Sequence, residues 1–178
     1  PREVRAFLDS PAPDKRRAVI DRLLKREEFA DYWTMKWCDI LRVKAEYPIN
    51  LWPNGVQAYY RWIHGAVRTN MPYDDFTREL LTSSGSNFRT PAVNFYCAVQ
   101  GKEPAAIASA VARIFLGVRI ASWSDERRSG LEAFFSRVGY KGTAEWKETV
   151  VHLDPVPSKP VKAMYSNGVK VVIPSAED

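Results

Sequence analysis

The chain has 178 residues with a hydrophobic content of 46%, and its 26 Lys and Arg against 21 Asp and Glu give a formal net charge of +5. This size suits one domain with a real core, or one domain with a small appendage, and the hydrophobic content is typical of a globular protein. Basic residues are mixed with acidic ones, which favours a solvated mixed-charge surface over a patch for nucleic acid or acidic glycan. We therefore predict no nucleic-acid partner, and no apolar run reaches the length of a membrane span.

The N-terminal part is predicted to consist of helices, the first over Arg2 to Leu8 and the second capped by Asp14. The third and longest begins at Glu27 and ends near Tyr47-Pro48, because the residue before a proline is pushed out of the helical region. Large apolar side chains at helical spacing give this helix one face that we predict to be buried. That face comprises Phe29, Tyr32, Trp33, Trp37, Ile40 and Leu41.

Capping residues and prolines mark the starts of the remaining helices. We predict these starts at Asn54, Asp74, Pro91, Pro104 and Ser124. The last helix is predicted to turn its apolar side chains inward and to end at Gly139 as its C-cap.

The C-terminal part has a different pattern. Trp146 to Leu153 is rich in β-branched residues and is predicted to be a strand, followed by a proline-containing connector. Asn167-Gly168 between two apolar segments predicts a β-hairpin. The predicted fold is thus mainly α: a domain of about seven helices over residues 1–141, followed by a small β-rich appendage and linker over residues 142–178.

Motifs that carry chemistry are scarce. The only imidazoles are His64 and His152, and neither stands in a H-E-x-x-H pattern. Cys38 and Cys97 lack the C-x-x-C spacing of a zinc cluster, so we predict no metal site. They would pair as a disulfide in an exported protein, or remain small buried side chains otherwise. No catalytic residue is predicted.

Two polar regions are candidates for ligand binding. Asp39 and Arg42 are three apart on one helix, where a local ion pair is the ordinary interpretation; the sharper hypothesis is that Asp39, Arg42, Lys44 and Trp52 line one pocket at the end of the long helix. The loop from Ser83 to Asn94 is longer than a connection requires. Its Asn87, Arg89 and Asn94 would either bind a ligand or cap neighbouring helix ends. Tyr59, like Trp52, suits stacking against a sugar as well as core packing.

Several segments, in this order and spacing, resemble the planctomycete-type cytochrome domain family, a domain of unknown function numbered 1549. The resemblance covers about residues 1–141. The segments are PREVRAFLDSPAPDKRRAVIDRLL, YWTMKWCDILR, VQAYYRWIHGAVRTNMPYDDFTRELLTSSGS, NFY, ARIFLGVRI and GLEAFFSRVGYK.

This resemblance implies an exported or periplasmic multidomain protein whose adjacent domains are partners of this one. It also implies a C-x-x-C-H haem segment after the GVRI-like stretch, where two thiols would bond the porphyrin. Here Gly117 to Ile120 runs directly into Ala121-Ser122-Trp123-Ser124. We therefore expect no covalent haem and no other cofactor, as in a haem-less branch of the family.

Three functional hypotheses remain open. The chain is a non-catalytic structural or ligand-binding module, with a polysaccharide as the ligand that its Trp and Tyr residues favour. Alternatively, it is part of an enzyme whose site a neighbouring domain completes, with Asp39, Arg42 and Arg89 as the residues to test. The third hypothesis is an electron-transfer domain that holds haem non-covalently through His64. Exposed Trp52 and Trp123 would favour the first, a pocket joining Asp39, Arg42 and Arg89 the second, and an apolar cleft at His64 the third.

Overall fold

The computed structural model describes residues 2–45, 51–154 and 160–175. It confirms a mainly α fold with small antiparallel strands towards the C-terminus. The helices of the described part are α1 (Arg2–Asp9), α2 (Lys15–Leu24), α3 (Glu27–Ile40), α4 (Pro53–Arg68), α5 (Tyr73–Thr82), α6 (Asn94–Ala98), α7 (Pro104–Phe115) and α8 (Asp125–Glu132).

The strands form two separate antiparallel sheets. The strands are β1 (Gly85–Ser86), β2 (Val138–Gly142), β3 (Thr149–Leu153), β4 (Val161–Met164) and β5 (Lys170–Ile173). The strand order of the first sheet is β1-β3-β2. Val151 of the central strand β3 is paired with Gly85 of β1 on one side and with Tyr140 of β2 on the other. Because β1 lies in the predicted polar loop, the sheet joins that loop to the C-terminal part of the chain. The second sheet is the predicted Asn167-Gly168 hairpin, which is confirmed as β4 and β5.

The core lies among α4, α6 and α7, whose apolar faces meet there. Tyr59 and Ile63 of α4 are fully buried, as are Phe95 of α6 and Ile107 of α7. Val151 of β3 closes this core on the sheet side. Large side chains from several helices therefore share one continuous core.

The prediction for α3 was wrong in two respects. The helix ends at Ile40 because Arg42 adopts a positive φ of 58°, and Tyr47-Pro48 lies outside the described residues. Tyr32 and Ile40 are exposed, whereas the fully buried helical residues are Ala30 and Thr34. The buried face is thus rotated from the predicted one, since Trp33 is also exposed, although Leu41 is buried as predicted.

The predicted helix ends had mixed outcomes. Pro104 begins α7 as predicted, and the Ser124 hydroxyl accepts a hydrogen bond from the Arg127 N–H at 3.4 Å as the predicted N-cap. Asn54 and Asp74 are not N-caps, because α4 and α5 each begin one residue before them. Gly139 was also assigned wrongly, since it lies in β2 rather than at the end of α8.

The β4–β5 hairpin packs against α8. The Arg127 guanidinium donates a hydrogen bond to the Ser166 carbonyl oxygen, and Lys170 Nζ donates to Glu126 Oε1 at 2.7 Å. Gly130 is buried directly against Met164 of β4. The absence of a side chain at Gly130 lets the strand approach the helix.

Candidate functional site

Two tryptophans from distant parts of the sequence meet at the surface. The ring centroids of Trp52 and Trp146 are 4.9 Å apart at an interplanar angle of 64°, an edge-to-face arrangement. Lys147 Nζ lies 4.7 Å from the Trp52 centroid and 5.6 Å from the Trp146 centroid. Trp146 is 68% exposed and Trp52 is half-buried. We call Trp52, Trp146 and Lys147 the tryptophan patch.

Local backbone structure positions the tryptophan patch. Trp52 immediately precedes Pro53, the first residue of α4. Trp146 and Lys147 belong to the turn before β3, in which the Glu148 N–H donates to the Glu145 carbonyl oxygen at 3.3 Å. Lys147 has a φ of 60°, which turns the chain sharply at this point.

Glu148 connects this turn to the loop that contains β1. Its carboxylate accepts hydrogen bonds from the Ser86 hydroxyl and, at 2.6 Å, from the Thr143 hydroxyl. Arg89 Nε lies 3.9 Å from Glu148 Oε1, and the Arg89 side chain is 81% exposed while that of Glu148 is 6% exposed. These hydroxyl hydrogen bonds, together with Arg89, lower the pKa of the Glu148 carboxyl. Arg89 therefore lies next to the turn that carries Trp146.

Two buried asparagines hold the loop in shape. Asn94 Nδ2 donates to the carbonyl oxygens of Asn87 at 2.6 Å and Pro91 at 3.0 Å. Asn87 Oδ1 accepts from the Thr149 N–H at 2.9 Å. A Cβ added to Gly55 would lie 3.0 Å from Asn94 Oδ1 and 3.1 Å from Asn87 Nδ2. The start of α4 thus packs directly on both asparagines, and the same contacts fix Trp52 relative to the turn at Trp146.

Asp39 and Arg42 line a separate cavity of about 420 Å³. It lies beside the ends of α3 and α6 and along one side of α7, and Arg113 also lines it. Neither Lys44 nor Trp52 is among the described residues that line this cavity. The structure thus brings together only part of the predicted pocket.

Tyr59 and the two cysteines lie inside the protein. Tyr59 is fully buried, and burial together with the neighbouring Cys38 and Cys97 raises its pKa well above the usual range. Both cysteines are free and half-buried, and burial raises the pKa of each thiol to about 11. Tyr59 therefore has a place in the core rather than on a binding surface, and the disulfide stays one of the two alternatives for the cysteines.

Each histidine contacts one carboxylate near the surface. His64 Nε2 lies 3.1 Å from Asp31 Oδ1, with the Tyr60 ring stacked 6.1 Å from the imidazole. His152 Nε2 lies 3.1 Å from Asp154 Oδ1. The described surroundings of His64 thus hold a carboxylate and a phenol rather than an apolar haem cleft, and these residues do not fit the haem that a cytochrome name implies.

Comparison with known proteins identifies the family. A family model described as "PSCyt2: Protein of unknown function (DUF1549)" matches residues 1–122. The chain belongs to the PSCyt2 family. No curated protein and no solved structure matches it.

This PSCyt2 chain also shows what sequence reasoning missed. The segment predicted as a strand includes Trp146, Lys147 and Glu148. The pattern of a strand gives none of these three side chains a functional role. The adjacent Trp and Lys were the available signal, but their pairing with Trp52 depends on tertiary structure. Arg113 was missed because a basic residue in the last turn of a helix is common there without any ligand.

The described part of this PSCyt2 chain contains neither a metal-binding cluster nor a membrane-spanning helix. Within residues 2–45, 51–154 and 160–175, no group of three or more His, Cys, Asp or Glu side chains is arranged to hold a metal ion. In those ranges no helix combines the length and the apolar character needed to cross a membrane.

Proposed function

We propose that this PSCyt2 chain is a non-catalytic ligand-binding module of a larger exported protein, and that it binds a polysaccharide on the tryptophan patch. The observation that supports this proposal is the pair of exposed Trp146 and half-buried Trp52, with Lys147 over both rings. Aromatic faces stack on the apolar faces of sugar rings, and two rings at an angle can hold a bent chain.

Charge favours an acidic polysaccharide over a neutral one. Lys147 is exposed beside the tryptophans, and Arg89 is exposed next to the adjacent turn. Glu148 is buried and hydrogen-bonded to two hydroxyls, and its carboxylate offsets part of the charge of Arg89. Lys147 is thus the cation of this surface available to pair with carboxylate or sulfate groups along the polysaccharide, whereas Arg89 already lies 3.9 Å from Glu148 Oε1.

The enzymatic and redox alternatives have less support. A site shared with a neighbouring domain would bring Asp39, Arg42 and Arg89 together, yet Arg89 pairs with Glu148 and is not among the described residues that line the cavity of Asp39 and Arg42. Non-covalent haem would need an open apolar position at His64, which instead pairs with Asp31.

Trp123, the other tryptophan whose exposure would favour a binding module, is half-buried, with the Arg127 guanidinium 3.9 Å from the centre of its ring. The binding surface proposed here therefore does not include Trp123.

The test is binding of the purified protein to polygalacturonate and to neutral dextran, measured by affinity electrophoresis. We expect retardation by polygalacturonate, and Trp146→Ala should weaken it by about tenfold or more. Trp33→Ala is the matched control, because Trp33 is 44% exposed on α3 and makes no ring contact with the tryptophan patch. Equal retardation of the wild type and Trp146→Ala, or none with either polymer, would contradict the proposal.

A further inference from the structure

The cavity beside α3, α6 and α7 combines an apolar wall with uncompensated charges. Its volume of about 420 Å³ lies within the range of small-molecule sites. Leu41 and Phe95 are buried residues that line it, and Ile114 adds a half-buried apolar side chain. This wall can accept the apolar face of a small ring.

Three charged side chains line the same cavity. Asp39, Arg42 and Arg113 are exposed, and the structure gives none of them an ion pair or a side-chain hydrogen bond with another described residue. Arg42 is placed there by its left-handed backbone just after the end of α3. Gln100 and Ser109 add neutral hydrogen-bonding groups to the lining.

The chemistry of this set selects a ligand class. A guanidinium binds a carboxylate through two parallel N–H···O hydrogen bonds, so Arg42 and Arg113 favour a carboxylate. The Asp39 carboxylate only accepts hydrogen bonds, which requires donors such as hydroxyl groups on the same ligand. We propose that this cavity binds a small hydroxylated carboxylate of the uronic-acid type. The proposal rests on the cavity alone and does not depend on polysaccharide binding at the tryptophan patch.

A structural role for the two arginines gives a different expectation. Arg113 lies in the last turn of α7 and Arg42 follows α3, where a cation stabilises the partial negative charge of a helix C-terminus. In that case their removal would lower the melting temperature without changing any binding isotherm. A ligand site instead predicts a change in affinity that exceeds any change in stability.

The experiment measures binding of galacturonate, galactose and alanine to the protein by calorimetry and by chemical shift perturbation. We expect galacturonate to bind with a dissociation constant in the millimolar range or tighter, while galactose, which lacks the carboxylate, binds at least about tenfold more weakly. Alanine tests whether an amino acid, with its ammonium on Asp39, is the better ligand. Binding of alanine in preference to galacturonate, or of none of the three, would overturn the proposal.

Variants then assign the site. Arg113→Gln and Arg42→Asn should each weaken galacturonate binding by about tenfold, and asparagine tolerates the left-handed backbone of residue 42. Arg119→Gln is the control, because it removes the same charge from an exposed residue that is not among those lining the cavity. Trp146→Ala should leave galacturonate binding unchanged, which separates this site from the tryptophan patch. Equal affinity in Arg113→Gln and Arg119→Gln, or a loss in Trp146→Ala alone, would contradict the assignment.

Discussion

The negatively charged carboxylate of Glu148 is held by polar contacts with three side chains. The Ser86 and Thr143 hydroxyls and the Arg89 guanidinium lower the pKa of its carboxyl, although burial acts in the opposite direction. A carboxyl with a lower pKa in the folded state stabilises the protein above its unfolded pKa of roughly 4.3. That contribution is lost as the pH falls through the lower folded pKa.

We therefore expect Glu148→Gln to lower the free energy of unfolding at pH 7. The difference from the wild type should shrink below about pH 4, where the wild-type carboxyl also becomes protonated. Urea denaturation at pH 7, 5 and 3 measures this, with the exposed neighbour Glu145→Gln as a control for the same change of charge. A difference that is the same at every pH would mean that the carboxylate charge is not what stabilises the turn.

The residues of this region show how far sequence reasoning reached. Asn94 and Arg89 were identified as functional candidates because their loop is long and polar, with capping of neighbouring helix ends as the stated alternative. Asn94 is fully buried and hydrogen-bonded to two carbonyl oxygens of the loop, a contact that is not a helix cap. The partnership of Ser86 and Glu148 could not be predicted, since β1 has only two residues and carries no strand pattern.

At the scale of elements, α3 shows why a strong sequence pattern led to a wrong prediction of which helix face is buried. Aromatic side chains at four-residue steps identify a helix correctly, but they do not say which side of the stripe is covered. The covered side contains Ala30 and Thr34. Trp37 also packs inward, and its ring centroid lies 5.0 Å from that of Phe76. Trp33 is 44% exposed, and its ring contacts within the described part of the chain are with Phe29 and Tyr32 of its own helix.

Because the buried face of α3 is rotated, truncating two tryptophans of this helix to alanine should have unequal effects on the free energy of unfolding. Trp37→Ala should lower the free energy of unfolding by about 2–4 kcal/mol, because it removes a half-buried ring that packs on the core. Trp33→Ala should cost less than about 1 kcal/mol. Both values come from chemical denaturation followed by far-ultraviolet circular dichroism. The reverse order would show that the aromatic stripe itself faces the core.

At the scale of the whole molecule, the C-terminal strands are attached to the helices at two places. β3 pairs with β1 and β2 and contributes Val151 to the core. The β4–β5 hairpin packs on α8, where Gly130 lies against Met164. The hairpin itself was predictable because Asn167-Gly168 suits a tight turn. Its docking site was not predictable, because a glycine inside a short polar helix resembles a weak helix position rather than a contact.

A pair of glycine substitutions tests this docking. A Cβ at Gly130 would overlap the Met164 side chain and lie 3.2 Å from the Met164 backbone nitrogen, so Gly130→Ala should lower the free energy of unfolding by about 1–3 kcal/mol. A Cβ at Gly65 in α4 would meet no atom within 4 Å. Gly65→Ala should therefore raise the free energy of unfolding by about 0.5–1 kcal/mol, because alanine favours the helical conformation more than glycine does.

Amide hydrogen exchange gives the location of the effect as well as its size. In Gly130→Ala, protection should fall mainly in β4 and β5, since the added methyl group pushes that hairpin away from α8 while the pairing of β3 with β1 and β2 is untouched. A Gly130→Ala protein that is as stable as Gly65→Ala would show that the hairpin does not depend on close contact with α8. Loss of protection throughout the chain would instead mean that the hairpin and the helices unfold as one cooperative unit.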